Sequence, residues 1–223
     1  MSDDTYTGKA MDRRYAGEDI DITYSVKRCI HAAECVRNLR AVFDNSKRPW
    51  IEPNGAPANA VAEVIHLCPS GALHYELKDG GAAEATPEEN VILIWDDGPL
   101  QFTGDLSISG TGVEVEGETR ATLCRCGASQ HKPFCDNSHK DAGFKAAGPT
   151  APDSAPAPLA AIGGALKITA NPDGPLHIQG SLTIRNAAGE IVFRGEETWL
   201  CRCGGSASKP FCDGTHKQIG FQG

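Results

Sequence analysis

The sequence predicts an α+β protein in which a small mixed unit precedes two β-rich units. A segment of about 60 residues occurs twice in the C-terminal half, which indicates a duplicated structural unit. Within each copy, apolar and polar residues alternate as in half-buried strands. The chain has 25 glycines and 14 prolines but only 6% aromatic residues, a composition that favours short elements around modest cores.

The first unit is predicted from two candidate strands and two candidate helices. Residues 20–26 alternate like a strand, and we expect residues 72–77 to form a second strand that pairs with them. Between these strands, a short helix is expected through Leu39 and Val42. Residues 58–67 predict a longer helix, because their apolar residues recur at helical spacing. The buried face of that helix is expected to comprise Val61, Val64, Ile65 and Leu67.

The two β-rich units are predicted from the repeat itself. The tetrapeptide DGPL begins at Asp97 and again at Asp173, and each copy continues into an alternating segment. These segments, LSIS and LTIR, begin at Leu106 and Leu182. A polar, Gly-rich stretch at 78–90 marks the end of the first unit. The predicted division is a loose tail at 1–18, a first unit at 19–80, a second at 88–147, an extended Pro- and Ala-rich linker at 148–160, and a third unit at 161–223.

Composition and charge argue against several classes of protein. The formal net charge of −8 and the pI near 5.3 disfavour general binding to nucleic acid or anionic membranes. No apolar run resembles a secretion signal or is long enough to cross a bilayer, so we expect a soluble, cytoplasmic protein.

In a reducing compartment cysteines more often bind metals than form disulfides, and nine cannot all pair within one chain. They fall into three groups: Cys29, Cys35, Cys68; Cys124, Cys126, Cys135; Cys201, Cys203, Cys212.

The last two groups belong to a repeated motif with the spacing C-x-C-x8-C-x3-H. Cys124 and Cys126 are one residue apart, so one extended turn can direct both sulfurs to one metal centre. Cys135 and His139 are four apart and therefore lie on the same side of a helical turn, which Asp136 is expected to cap. Two thiolates on one iron, with a thiolate and an imidazole on the other, complete a [2Fe–2S] site. The second copy offers Cys201, Cys203, Cys212 and His216, with Asp213 as its cap.

A pair of Cys3His zinc sites is the alternative, since zinc accepts the same ligands. Zinc ligands usually begin with C-x2-C to C-x4-C, and C-x-C followed by eight residues is unusual for them. The basic residues that flank the ligands at equivalent positions of the two copies either offset cluster charge or are solvated surface groups. They are Arg125, Lys132, Arg202 and Lys209.

The motif resembles the CDGSH iron–sulfur family, the mitoNEET-type proteins, whose signature is C-x-C-x2-[ST]-x3-P-x-C-D-G-[STA]-H. The second copy matches throughout, including Ser206, Pro210 and Gly214. The first copy departs at Asn137, where the family has glycine; Asn tolerates a left-handed backbone, so we expect its cluster to be retained. The resemblance implies small β-rich domains and, because single-motif members dimerise, an intramolecular pseudo-dimer of the two copies.

The N-terminal cysteines form a third candidate site with the pattern C-x5-C…C-P. The segment CIHAAECV, the RPWI at residues 48–51 and the CPSGAL at residues 68–73 resemble the divergent mono-cluster ferredoxin domain. The resemblance implies a small ferredoxin-like α+β domain in which Cys29, Cys35 and Cys68 hold one cluster. Three thiolates suit a [3Fe–4S] cluster, or a [4Fe–4S] cluster whose fourth iron takes another ligand. His31 is the candidate for that ligand, and its alternatives are a place beside the cluster or on the surface.

Nothing in the sequence resembles a catalytic triad or a nucleotide-binding loop, so we expect no enzymatic role for the chain alone. Three clusters in one chain favour one-electron transfer. The alternatives are redox or iron sensing with cluster donation and, less favoured, a structural zinc-binding adaptor. The expected partner is a redox protein or an apo-protein that accepts a cluster, and no nucleic acid or membrane is expected.

Overall fold

A computed structural model describes residues 5–78, 80–81, 84–152, 154 and 156–223. The first four residues of the expected tail lie outside this range. So do residues 79, 82 and 83 of the expected boundary at 78–90, and residues 153 and 155 of the expected linker. The described chain is mostly β, with few and short helices. A small N-terminal unit is followed by a β-rich region, as the sequence predicts.

The N-terminal unit is a three-stranded antiparallel sheet with two helices. Its strands are β1 (Arg13–Tyr15), β2 (Ile20–Tyr24) and β3 (Leu73–Leu77), in that order, and the predicted pairing of β2 with β3 is confirmed. The helices are α1 (Glu34–Asn38) and α2 (Ala58–His66). On α2 the predicted inward residues Val61 and Ile65 are buried, and Val64 packs against them from a half-buried position. Leu67 was assigned wrongly to this face: it follows the last helical turn and is 48% exposed.

The expectation of a loose N-terminal tail is wrong for the described residues. Tyr6 is only 3% exposed and meets the ring of Phe134 edge-on, with ring centroids 5.6 Å apart. Its backbone pairs with Val113, and strand β1 lies within the same segment. The sequence of β1, RRY, has no apolar alternation, and the ring and strand partners of Tyr6, Phe134 and Val113, are more than 100 residues away. The local sequence pattern therefore does not indicate that this N-terminal segment is packed against the rest of the protein.

The β-rich region is a single six-stranded sheet built from both repeats. The first repeat supplies β4 (Val91–Ile94), β5 (Leu100–Gly110) and β6 (Val113–Leu123), followed by the helical turn α3 (Ser138–Asp141). The second repeat supplies β7 (Ala165–Ala170), β8 (Leu176–Arg185) and β9 (Ile191–Leu200), followed by α4 (Thr215–Gln218). Each DGPL tetrapeptide lies at the turn between the first two strands of its repeat.

Strands of one repeat also pair with strands of the other repeat. Strand β4 pairs with its own neighbour β5 and also, in parallel, with β8 of the other repeat. In the same way β7 pairs with β8 and, in parallel, with β5. The inward side chains of all six strands form one apolar cluster, so the two repeats share a single core.

A buried ionic cluster joins the N-terminal unit to the outer face of β6. Arg28 donates to Glu118 at 2.8 Å, and each side chain is at most 1% exposed. The same guanidinium donates to the carbonyl oxygens of Ser70 and Arg120, and it lies over the ring of Phe134. The contact fixes the loop before Cys29 against the first repeat.

Glu84 and His74 extend this cluster. The two ring nitrogens of His74 face different carboxylates, with Nδ1 at 3.0 Å from Glu84 and Nε2 at 3.1 Å from Glu118. Arg120 donates to Glu84 at 2.8 Å and to the carbonyl oxygens of Ile65 and Leu73. Burial raises the pKa of both carboxyls, but the facing cations and hydrogen bonds more than offset it. The net effect lowers the pKa of Glu84 to about 2 and holds that of Glu118 far below its usual range.

We expect Glu118→Gln to destabilise the folded protein by about 3 kcal/mol at pH 7, because Arg28 stays buried without its carboxylate. Denaturant unfolding followed by far-UV circular dichroism measures the loss. The matched control is Glu76→Gln, which removes an exposed partner of Arg14 and should cost less than about 1 kcal/mol. Equal stability of Glu118→Gln and the wild type would contradict the role assigned to the cluster.

The Glu84 carboxylate should also give the folding free energy a dependence on acid pH. Its pKa falls from 4.5 to about 2 on folding, so its contribution is fully present above pH 4.5 and is lost as the pH falls towards 2. We expect Glu84→Gln to flatten this part of the unfolding free energy plotted against pH. Glu88→Gln, at an exposed carboxylate, should leave the slope unchanged. A wild-type slope in Glu84→Gln would rule out this linkage.

Candidate metal centres

Each CDGSH-like motif is a loop between a strand end and one helical turn. Cys124 follows the last residue of β6, and His139 lies in α3. The loop folds back on its own strand: the Cys124 amide donates to the carbonyl of Pro133, and the Cys135 amide to that of Thr122. The second motif makes the same two bonds, from Cys201 to Pro210 and from Cys212 to Trp199.

The four candidate ligands of each motif meet as two close pairs. In the first motif the Cys124 and Cys126 sulfurs are 3.5 Å apart, and Cys135 Sγ is 3.5 Å from His139 Nδ1. The second motif has the same arrangement, at 3.7 Å for Cys201 and Cys203 and at 3.4 Å for Cys212 and His216. Two sulfurs at about 2.3 Å from a tetrahedral metal lie about 3.7 Å apart, so each pair has the span of one metal ion.

The division of the four ligands into two pairs distinguishes between a single zinc ion and a binuclear centre. A single tetrahedral zinc ion requires all four ligands of a motif to converge on one point. Among the residues that the structure describes, no group of three or more His, Cys, Asp or Glu side chains is arranged to hold one ion. Two pairs, each spanning one metal, match the donor set of a binuclear centre.

Backbone amides point at the ligand sulfurs. The Ala128 amide lies 3.4 Å from Cys126 Sγ, and the Asn137 amide lies 3.4 Å from Cys135 Sγ. The Gly205 amide makes the equivalent contact with Cys203. N–H dipoles aimed at sulfur stabilise thiolate over thiol, which suits a metal ligand.

The two aspartates are not the N-cap residues that the sequence predicts: Asn137 and Gly214 occupy those positions, and each aspartate lies one residue before them. Asp136 accepts from the Ser138 amide at the start of α3 and from the Gln130 amide in the loop. Asp213 accepts from Thr215 and Ala207 in the same way. Each carboxylate thus ties the helical turn to the cysteine loop. Since α3 and α4 have four residues each, the amides of the loop, and not a helix end, surround the sulfurs.

The thiols of the first motif differ in their ease of ionisation. The contact with Cys126 and the surrounding amides lower the pKa of Cys124 to about 6, whereas the same contact raises that of Cys126. Burial raises the pKa of Cys135 to about 12 and lowers that of His139. A neutral imidazole is the form that binds a metal, and a metal ion displaces the remaining thiol protons.

The two motif loops lie against each other. The backbones of Cys126 and Cys203 form an antiparallel bridge, and a glycine follows each cysteine. A Cβ on Gly127 would lie 2.6 Å from the Cys203 carbonyl oxygen, and one on Gly204 would lie 2.4 Å from that of Cys126. Both glycines also have positive φ. No other residue fits at either position, so the approach of the two loops depends on glycine.

The basic residues of the motifs hold the loops in place. Arg125 is buried, donates to the carbonyl oxygens of Gly98 and Trp95, and lies over the ring of Phe144. Arg202 does the same in the second repeat, with Gly174, Asn171 and Phe221. The lysines cross between repeats: Lys132 faces Phe221, and Lys209 faces Phe144. Both arginines are buried, so the interpretation as solvated surface groups is wrong for them. They donate to carbonyl oxygens, yet electrostatic attraction joins Arg125 to Cys126 and Cys201, and Arg202 to Cys124, so the charge-offsetting interpretation stands.

The three N-terminal cysteines line one cavity. Cys29 precedes α1, Cys35 lies within it and Cys68 follows α2, so the fold brings together residues up to 39 positions apart. Burial and the neighbouring sulfurs raise the pKa of Cys35 to about 11. Tyr24 and Trp50, which meet edge-on, form part of the apolar wall. His31 is exposed, has a positive φ and lies at the mouth of the same cavity.

The loop carrying Cys29 docks onto the first motif and not the second. The side-chain amide of Asn137 donates to the carbonyl oxygen of Ile30, and His131 Nδ1 is 3.1 Å from that of Lys27. The second motif has Gly214 and Ser208 at these two positions. This difference between the copies was the signal in the sequence that could have identified the docking contacts, because Asn137 and His131 both bind the N-terminal loop.

Docking makes the two ligand sets unequal in exposure. Cys135 and His139 are 3% and 8% exposed, whereas Cys212 and His216 are half-buried. His139 shares a cavity with Ile30 and His31 of the N-terminal loop. The N-terminal unit therefore covers the Cys135/His139 pair, whereas the Cys212/His216 pair is partly open to solvent. The C-x-C cysteines do not differ, since Cys124 and Cys201 are each 1% exposed.

Family models match both kinds of site. The model described as a divergent 4Fe-4S mono-cluster matches residues 15–78. The model described as an iron-binding zinc finger of CDGSH type matches twice, at residues 97–140 and 173–217. The chain belongs to the CDGSH iron–sulfur proteins. Its two CDGSH domains follow an N-terminal mono-cluster domain, as the sequence motifs predict.

Two curated relatives are similar to part of the chain. Each is an uncharacterized protein YjdI, one from Escherichia coli strain K12 and the other from Escherichia coli O157:H7. Each is 41% identical over 66 residues, which are 30% of this chain and 87% of the relative. Among the described residues, no helix has the length and apolar character needed to cross a membrane.

We expect Asn137→Gly to release the N-terminal loop from the first CDGSH site. Glycine restores the family signature and suits the left-handed backbone, with φ at 74°, so only the bond to Ile30 is lost. The expected results are faster hydrogen exchange at residues 28–36 and faster loss of iron from the first site to a chelator. The control is Gly214→Asn, which adds the same side chain where no N-terminal loop is docked and should change neither. Unchanged exchange in Asn137→Gly would contradict this docking role.

Proposed function

We propose that the protein is a one-electron carrier with two [2Fe–2S] clusters and a third, N-terminal cluster. The observation that carries this proposal is the division of each CDGSH ligand set into two close pairs. Cys124 with Cys126 spans one iron, and Cys135 with His139 spans the other. A bound cluster of this type supplies reversible one-electron chemistry. The protein supplies the thiolates, the imidazole, the amides aimed at sulfur and the cover that limits access of water.

The fused repeats act as an intramolecular pseudo-dimer in this proposal. The reciprocal pairing of β4 with β8 and of β7 with β5 supports it, because equivalent strands make equivalent contacts. The bridge between Cys126 and Cys203 supports a short separation of the two CDGSH sites. A small separation between redox centres within a rigid frame is what electron transfer requires, and it needs no substrate pocket.

For the N-terminal site we propose a [3Fe–4S] or [4Fe–4S] cluster in a ferredoxin-like domain. Its support is the common cavity lined by Cys29, Cys35 and Cys68. His31, at the mouth of that cavity, is the candidate for a fourth ligand. We also propose a cytoplasmic location, because nine cysteines that serve as ligands require a reducing compartment.

The exposure of the second site favours a second candidate function, donation of a cluster to an apo-protein. Cys212 and His216 are half-buried, so an acceptor thiolate has access to them, whereas their counterparts Cys135 and His139 are covered. Mixing the holo-protein with an apo-ferredoxin tests this function. Transfer of a [2Fe–2S] cluster from the second site would support donation, and a protein that keeps all its iron while it exchanges electrons would support the carrier.

We expect anaerobically purified protein to contain iron and acid-labile sulfide and no stoichiometric zinc. Cys201→Ser should remove about two irons and two sulfides per chain, because it breaks one binuclear site. Cys124→Ser should do the same for the first site. The measurements are elemental analysis, sulfide quantification and EPR of the reduced protein, in which each variant should lack one signal.

The matched control is Ser208→Cys, which adds a thiol beside the second site outside its ligand set. It should leave the iron content and the EPR signals unchanged. One zinc per motif in place of iron, with loss of a single metal ion in each ligand variant, would overturn the proposed function in favour of a structural zinc protein.

A further inference from the structure

We propose that the outer face of β9, beside the second CDGSH site, is the docking surface for a separate, positively charged redox protein. This inference rests on the proposed carrier function and adds to it the place and the charge of the partner. The central observation is that the two repeats present equivalent faces, of which only one is covered within the chain.

The covered face belongs to β6. Its outward side chains at positions 118, 120 and 122 are at most 6% exposed, because the N-terminal unit lies on them. Arg28 binds Glu118, and the backbone of Gly71 approaches that of Arg120 so closely that a Cβ would lie 2.3 Å from its carbonyl oxygen. Thr122, at the end of this row, accepts the amide of the ligand Cys135 through its own carbonyl. A redox-active domain therefore sits directly beside the first ligand set.

The open face belongs to β9, whose residues 195, 197 and 199 are the counterparts of 118, 120 and 122. Here Glu197 is exposed and Trp199 is 45% exposed. The carbonyl of Trp199 accepts the amide of the ligand Cys212, as that of Thr122 does for Cys135. Trp199 is held in place by His177, with the rings parallel and 4.7 Å apart, and His177 in turn pairs with Glu197 at 2.7 Å. The tryptophan is thus ordered and yet uncovered.

The residues of β9 that stand in place of the buried residues of β6 indicate the chemistry of the protein that would bind there. Glu197 stands in place of Arg120, and the neighbouring Glu196, also exposed, stands in place of Thr119, so the face is more acidic than its counterpart. Gly195 stands in place of Glu118 and offers no carboxylate to an arginine like Arg28. The face therefore does not fit the N-terminal unit of another copy. Two adjacent carboxylates beside an exposed tryptophan suit a surface rich in arginine or lysine, which contacts both groups.

The exposure of the second ligand set also supports the outer face of β9 as the docking surface. Cys212 and His216 are half-buried, and Ile219, in the turn after His216, is 53% exposed. A protein seated here would reach the second ligand set from the position that the N-terminal unit takes at the first. The first CDGSH site then faces the internal partner and the second faces the external one.

The experiment uses the full-length holo-protein and cytochrome c, a basic one-electron protein, as the probe. Calorimetry at low salt measures binding to the oxidised protein, and stopped-flow absorption measures the second-order rate at which the reduced protein reduces the probe. Glu196→Gln/Glu197→Gln should weaken binding about tenfold, and Trp199→Thr, which installs the residue of the first repeat, should do likewise. The rate of reduction should fall in proportion to binding in both variants at low salt. At high salt the rate of the glutamine variant should converge with that of the wild type, because salt screens the carboxylates that it lacks.

The control is Glu114→Gln/Glu116→Gln, which removes the same charge from exposed positions of β6 and should leave binding and rate within about twofold. Unchanged unfolding and iron content in every variant shows that the fold and both sites are intact. Equal losses in test and control variants, or no binding of cytochrome c, would overturn the proposed surface. So would a concentration-dependent dimer that Trp199→Thr abolishes, since a second copy would then be the occupant.

The proposed function and the proposed surface fail in different ways. Binding that depends on Trp199 without any reduction of cytochrome c would uphold the surface and contradict the carrier function. Reduction at rates that none of the β9 variants changes would uphold the carrier function and contradict the surface.

Discussion

The exchange of strands between the two repeats is the constraint on which the rest of the structure depends. Neither repeat completes its sheet alone, because β4 needs β8 and β7 needs β5. The shared core then sets the ends of β6 and β9 side by side, and both ligand loops start from those ends. Their contact at Cys126 and Cys203, with glycine required after each cysteine, follows from this arrangement.

Much of the local structure could be predicted from the sequence because it depends on short-range patterns. The pairing of β2 with β3 followed from alternation, and the grouping of ligands in each CDGSH motif followed from spacing that is independent of the rest of the chain. Leu67 shows the limit of periodicity, since the helix ends one residue before it. The packing of residues 5–18 was missed because the strand partner of Tyr6 belongs to a different unit.

The contacts between units could not be predicted from one sequence. Arg28, His74, Glu84 and Glu118 lie in three separate segments, and each looks like an ordinary surface residue in its local context. Their burial is decided by the fit of two folded surfaces, which has no short-range signature. The repeat did contain one usable clue: Asn137 and His131 break the match between the copies, and both contact the N-terminal loop.

The two CDGSH sites differ in their surroundings, and they can do so because both repeats belong to one chain. In a dimer of identical chains, symmetry requires that any substitution near one site also appear at the other, so a fused domain must find both faces equally suitable. Joining the copies in one chain removes that coupling. Asn137 and Gly214 can then differ, and a protein of 223 residues can keep one metal centre for internal exchange while the other stays open to solvent.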